Sequence, residues 1–118
     1  MDTRRKIVSA ADAARDPGQV VVRGYFDPLC VSAVRRLEQL ACGDASLTIL
    51  LAPPVQPLLP DSARADLLAG LHAVRNVVVT DGTIPAEFVE ASIVDETEGD
   101  LQRTRELMEH VRRRQNAQ

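Results

Sequence analysis

A chain of 118 residues has room for one domain and one hydrophobic core, which at this length buries roughly 65% of the surface of the unfolded chain. Its 45% apolar and 26% charged residues are an ordinary globular balance, and a formal net charge of −3 argues against broad nonspecific binding to nucleic acid or acidic membranes. Tyr25, Phe26 and Phe88 are all the aromatics, so rings do not interleave with basic residues to stack bases, and the core must be aliphatic.

The opening segment, MDTRRKIVSAADAARD, lacks the apolar block that follows a signal peptide's basic start, and no stretch approaches the roughly 18 apolar residues of a membrane span. A cytoplasmic protein without a membrane partner is expected. QVVVRG (19–24) is a β-rich run bounded by Pro17-Gly18 and Gly24, the pattern of a buried central strand. From Cys30 to Ala41, Val31, Val34, Leu37, Leu40 and Ala41 recur at helical spacing, and Gly43 should end that helix. If Cys30 and Cys42 both lie on it, about 1.5 Å per residue separates them by about 18 Å, beyond disulfide reach.

SLTILLA (46–52) predicts a second strand that stops at Pro53-Pro54. PPVQPLLP then crosses the surface as a stiff extended segment, because its prolines exclude regular helix and central strand. Pro60-Asp61-Ser62 opens a second helix with the face Ala65, Leu68, Ala69, Leu71 and Ala73. NVVVT (76–80) is a third strand, and Asp81-Gly82 a turn. Within 87–96 a helical turn should precede a short strand around Ala91 to Val94. From Asp100 to about Arg114 the pattern is helical, with Leu101, Thr104, Leu107, Met108 and Val111 in one stripe. Acids at its start and arginines at its end suit the helix dipole, and the tail QNAQ is expected to fray.

Strand and helix alternating with short connections predict an α/β protein: a Rossmann-like α/β/α sandwich with a mainly parallel sheet of four to five strands, covered on both faces. Ligands in such sheets bind beyond the carboxyl ends of the strands, where the strand order reverses. GYFDPLC lies at such an end. His72 and His110 stand alone, without Cys or His at ligand spacing, so no metal site is expected.

The stretch Gly24-Tyr25-Phe26-Asp27-Pro28-Leu29 resembles the first half of the G-x-F-D-x-x-H-x-G-H signature of the cytidylyltransferase-like nucleotidyltransferases. RADLLAGLHAVRNVVV (64–79) is similar to that family's R-x-x-L-x-x-x-L-x-x-V-D-x-V segment, and the likeness runs over roughly residues 6 to 80. It implies one nucleotidyltransferase-like domain over 1–118, a CTP or ATP ligand with magnesium or another phosphorylated small molecule, and a homodimer. The implied phosphate-binding set is Gly24, Tyr25, Phe26, Asp27, Cys30, Ser32, Ala33 and Arg64.

The catalytic half of the signature is replaced. Cys30-Val31-Ser32-Ala33 stands where the family has H-x-G-H, so the imidazoles that hold phosphates and stabilise transferred charge are gone. Arg75 stands at the family's aspartate. Glu96 to Arg103 corresponds to R-T-x-G-I-S-[ST]-[ST], retaining only Thr97 and Gly99. Carboxylates there would face a triphosphate, at up to about 4 kcal/mol each for a contact of about 4 Å in an effective dielectric near 20.

Each candidate also has a structural role open to it. Asp27 suits a capping position, Cys30 a packing position, and Arg64 surface cover as well as a reach toward the site. The favoured reading is a catalytically inactive nucleotidyltransferase-like domain that keeps a phosphate-shaped pocket for binding or interaction, with no catalytic residue. Its alternatives are an active transferase in which Arg64, Arg75 or Arg103 replaces the histidines, and a purely structural or oligomerisation module.

Overall fold

The computed structural model describes residues 3–41 and 44–116. Cys42 and Gly43, where the first long helix was expected to end, and the last two residues lie outside them. Four strands form one sheet: β1 (Val20–Gly24), β2 (Leu47–Leu51), β3 (Val74–Val79) and β4 (Ile93–Asp95). Every pairing is parallel and the order is β3-β2-β1-β4, so β1 is an inner strand. The helices are α1 (Ala10–Ala13), α2 (Val31–Ala41), α3 (Asp61–Ala69) and α4 (Thr97–Asn116). This is the α/β architecture expected, consistent with a Rossmann-like α/β/α fold, with four strands.

The period-2 alternation of a strand divides the core in two. Val22, Ile49 and Val77 join Leu37 of α2 and Leu68 of α3 on one face. Val21, Leu50 and Val78 point the other way, where Ala13 of α1 and Phe88 of a short 3-10 turn cover them. The second layer is therefore thin. All five residues of β2 are buried, which is why LTILL reads as a nearly unbroken apolar run. Its exception, Thr48, accepts a hydrogen bond from Asn76 Nδ2, which also donates to Asp16.

The segment before α1 was not foreseen as structure. Ile7 forms an isolated parallel bridge to Val77, and Val8 N–H donates to the Val77 carbonyl at 2.9 Å. That contact covers part of the free edge of β3, which would otherwise present unpaired backbone groups.

Several boundaries differ from the sequence pattern for identifiable reasons. In α2 the buried residues are Ala33, Leu37 and Ala41, whereas Val31 is 68% exposed. The apolar face is thus turned from the expected stripe toward the small residue Ala33. α3 stops at Ala69, so Leu71 and Ala73 lie in the turn that leads into β3 rather than on the helix face. β3 accordingly starts at Val74, two residues early. α4 starts at Thr97 and continues through Asn116, and Leu101, Leu107, Met108 and Val111 of its expected stripe are exposed.

The corrected face of α2 sets a comparison. Leu37→Ala should cost about 2–5 kcal/mol, and Val31→Ala should change stability by no more than about 0.5 kcal/mol. Urea denaturation of both variants checks this, and similar losses would contradict the face assigned.

Candidate functional site

β1 leads into the loop Gly24-Tyr25-Phe26-Asp27, followed by a cis Asp27-Pro28 bond. Beyond β1 the chain runs outward through β2 and β3 and returns on the other side at β4, so the strand order reverses beside β1. The loop therefore sits where open parallel sheets place ligands. Phe26 has φ +47°, a left-handed conformation rarely taken by a bulky residue, and its ring is buried in the core. The ring's burial fixes the turn that aims the backbone of Tyr25 and Phe26 outward.

Those two amides meet a side chain from the first turn of α4. Asp100 Oδ2 accepts from Tyr25 N–H at 2.8 Å and from Phe26 N–H at 3.4 Å. Its other oxygen accepts from Arg103 Nη2 at 2.9 Å. Arg103 also lies 3.6 Å from Glu96, which receives Arg36 of α2 at 2.5 Å. An anion position of backbone amides is thus occupied by one of the chain's own carboxylates. Gly24 makes the approach possible: a Cβ there would lie 2.5 Å from Asp100 Oδ2 and 2.6 Å from the Phe26 ring.

Asp27 is buried, and its carboxylate accepts from Leu58 N–H at 2.6 Å and Leu59 N–H at 2.9 Å. It ties the loop to the Pro-rich crossing, as a capping carboxylate does. Arg64, 1% exposed, donates from Nη1 to the carbonyls of Tyr25 and Ala52 at 2.8 and 3.0 Å. Its Nε reaches the Leu59 carbonyl at 3.3 Å and its Nη2 pairs with Asp61. The guanidinium neither covers the surface nor points free into a site; it staples the loop, the end of β2 and the crossing together. From α4, Thr104 Oγ1 donates to the Asp27 carbonyl at 3.1 Å.

Of the residues singled out by sequence, Gly24, Tyr25, Phe26, Asp27 and Arg64 meet at this loop. Cys30 precedes α2, with its Sγ 3.2 Å from Ser32 Oγ. Ser32 is exposed, and Ala33 is packed in the core beneath α2 rather than at the loop. Arg75 lies at the amino end of the sheet, paired with Asp16, away from the loop. His72 is exposed, and among the described residues no cluster of three or more His, Cys, Asp or Glu could hold a metal. Asp100 and Thr104 were missed as site residues. The available signal was an acid in the first turn of a helix directly after the returning strand.

Between the Pro-rich crossing and α4, beside the loop, lies an open cleft of about 480 Å³. Tyr25, Asp27, Asp100 and Thr104 are among the residues that line it, with Leu58 from the crossing and Arg112 farther along α4. Burial raises the pKa of Asp100 above the ordinary carboxylate value, outweighing Arg103 and the two amides. Burial works against the Arg103 cation, but the hydrogen bond and charge of Asp100, with Glu96, hold its pKa above the usual arginine range.

No family model matches the chain, and no curated protein matches it.

Two outcomes follow from this packing. Gly24→Ala should destabilise by about 1–3 kcal/mol, because Asp100 or Phe26 must move to admit the methyl group; an unchanged urea midpoint would refute the close approach. With its native pKa raised, Asp100 binds a proton earlier on acidification than it does in the unfolded chain. Its contribution to stability therefore grows as pH falls through the native pKa and levels off once both states are protonated, below about 3.9. Stability of the wild type relative to Asp100→Asn should rise between neutral pH and pH about 4, read from urea midpoints across that range; a flat or falling difference would contradict it.

Proposed function

We propose that this chain is a noncatalytic nucleotidyltransferase-like domain in which the loop after β1 survives as scaffold while its anion position is filled from within. The observation that carries the reading is the Asp100 carboxylate on the Tyr25 and Phe26 amides. A phosphate arriving at those donors must displace a carboxylate held by Arg103 and meet the carboxylate of Asp27 nearby, in the same cleft. Like charges in a partly buried site repel strongly enough to disfavour such binding.

The arginines required by a rearranged active site are committed elsewhere. Arg64 is spent on backbone carbonyls and Asp61, Arg75 on Asp16 at the opposite end of the sheet, and Arg103 on Asp100 and Glu96. With Cys30 and Ala33 in the motif's histidine positions, no imidazole is left at the loop to stabilise nucleotidyl transfer. The central position of β1 and the start of α2 directly after Cys30 are the scaffold features on which the family resemblance depends.

Calorimetric titration of the full chain with CTP and with ATP, each with and without magnesium, tests the reading. Weak or no binding is expected for the wild type, and tighter binding for Asp100→Asn, in which the competing charge is removed. Release of pyrophosphate from either nucleotide in the presence of a phosphorylated sugar or alcohol would overturn the noncatalytic assignment.

A further inference from the structure

α4 is a 20-residue helix, about 30 Å long, and from Arg105 onward all its described residues are exposed. Its exposed residues nevertheless carry a pattern, with apolar side chains at three of five regularly spaced positions. Leu101, Thr104, Met108, Val111 and Gln115 fall at alternating spacings of three and four, the seam of a two-stranded coiled coil, with Leu107 beside it. Leu101, Leu107, Met108 and Val111 are between 37% and 46% exposed.

The seam faces a groove. The 480 Å³ cleft runs over Leu101, Thr104 and Met108, and an adjoining one of about 310 Å³ runs over Leu107, Met108 and Val111. Leu58 lines both, and Val55, almost wholly exposed, adds to the opposite wall from the Pro-rich crossing. An apolar groove of this extent, rimmed by charge, marks an interaction surface.

The charges along α4 select the occupant. Its first turn carries Glu98 and Asp100, and its last turns Arg112, Arg113 and Arg114. A second α4 laid parallel would bring six arginines together at one end. Laid antiparallel, each arginine cluster reaches the other's exposed Glu98, Asp100 being turned inward onto the loop, and the two helix dipoles oppose. In the antiparallel register that pairs Leu101 with Val111 and Thr104 with Met108, Leu107 meets its own copy at the two-fold axis and Glu98 stands opposite Arg112. The two Arg105 side chains near the axis each have Glu109 one turn along the same helix.

We propose that the groove between α4 and the Pro-rich crossing is a self-association surface, filled by α4 of a second copy of this chain running antiparallel. The interface is isologous, so each copy supplies both the groove and the helix that fills it. This assignment stands whether or not the loop after β1 binds a nucleotide.

Sedimentation equilibrium of the full chain over a range of concentrations tests it. The wild type should associate to twice its 12.9 kDa. Met108→Glu should sediment as a monomer with an unchanged circular dichroism spectrum. Arg112→Glu should raise the dissociation constant about tenfold, and adding Glu98→Arg to the same chain should restore it, since the two positions meet only in the antiparallel arrangement. Glu98 and Arg112 are both exposed, so this pair of variants tests the surface even if Met108→Glu fails to fold. A wild type that stays monomeric at submillimolar concentration overturns the proposal. So does a dimer indifferent to Met108→Glu or Arg112→Glu, or a charge exchange that fails to restore association.

Discussion

The backbone at the carboxyl end of β1 is a buried turn, and a buried turn cannot leave its amides and carbonyls to water. Its dependence on outside partners organises much of the rest. The amides of Tyr25 and Phe26 are answered by Asp100, the carbonyl of Tyr25 by Arg64, and that of Asp27 by Thr104. In return Asp27 supplies acceptors to the Pro-rich crossing, which has no regular ladder of its own. α3, α4 and the Pro-rich crossing are thereby fixed to one another through the three residues Tyr25 to Asp27.

This arrangement also changes what the loop is for. Amides gathered beside a sheet switch point and a helix start are commonly an invitation to a phosphate. Here the invitation is already accepted, from inside, by a carboxylate that Arg103 steadies. A side chain tethered to the same chain has a large advantage over a free ligand, because its entropy of association was lost when the domain folded.

How much of this was legible in the sequence depended on whether a residue's environment was local. Strands β1 and β2 read clearly because a strand buried on both faces must be apolar at nearly every position, as LTILL is. α2 read as a helix but with its face misplaced, since Val31 and Ala33 differ too little in pattern for periodicity to say which one tertiary packing would cover. The extent of α4 was underestimated by its acidic, glycine-containing first turn, and its stripe was legible without its occupant, because spacing reports amphipathicity without reporting what lies opposite. Arg64 was brought to the loop by the family resemblance alone, without its partners, and Asp100 was given no role there. Their partners are backbone groups far along the chain, and no local pattern marks a distant carbonyl or amide.

The partners of the loop are spread widely in sequence, and that spread fixes an order in time. Leu58 and Leu59 reach Asp27 across separations of 31 and 32 residues, Arg64 reaches Tyr25 across 39, and Asp100 closes the same loop across 75. In order of synthesis the crossing comes first, then Arg64, and the carboxylate that answers the Tyr25 and Phe26 amides comes last. The last strand and the last helix, adjacent in the chain, supply the edge partner of β1 and the carboxylate of its anion position together.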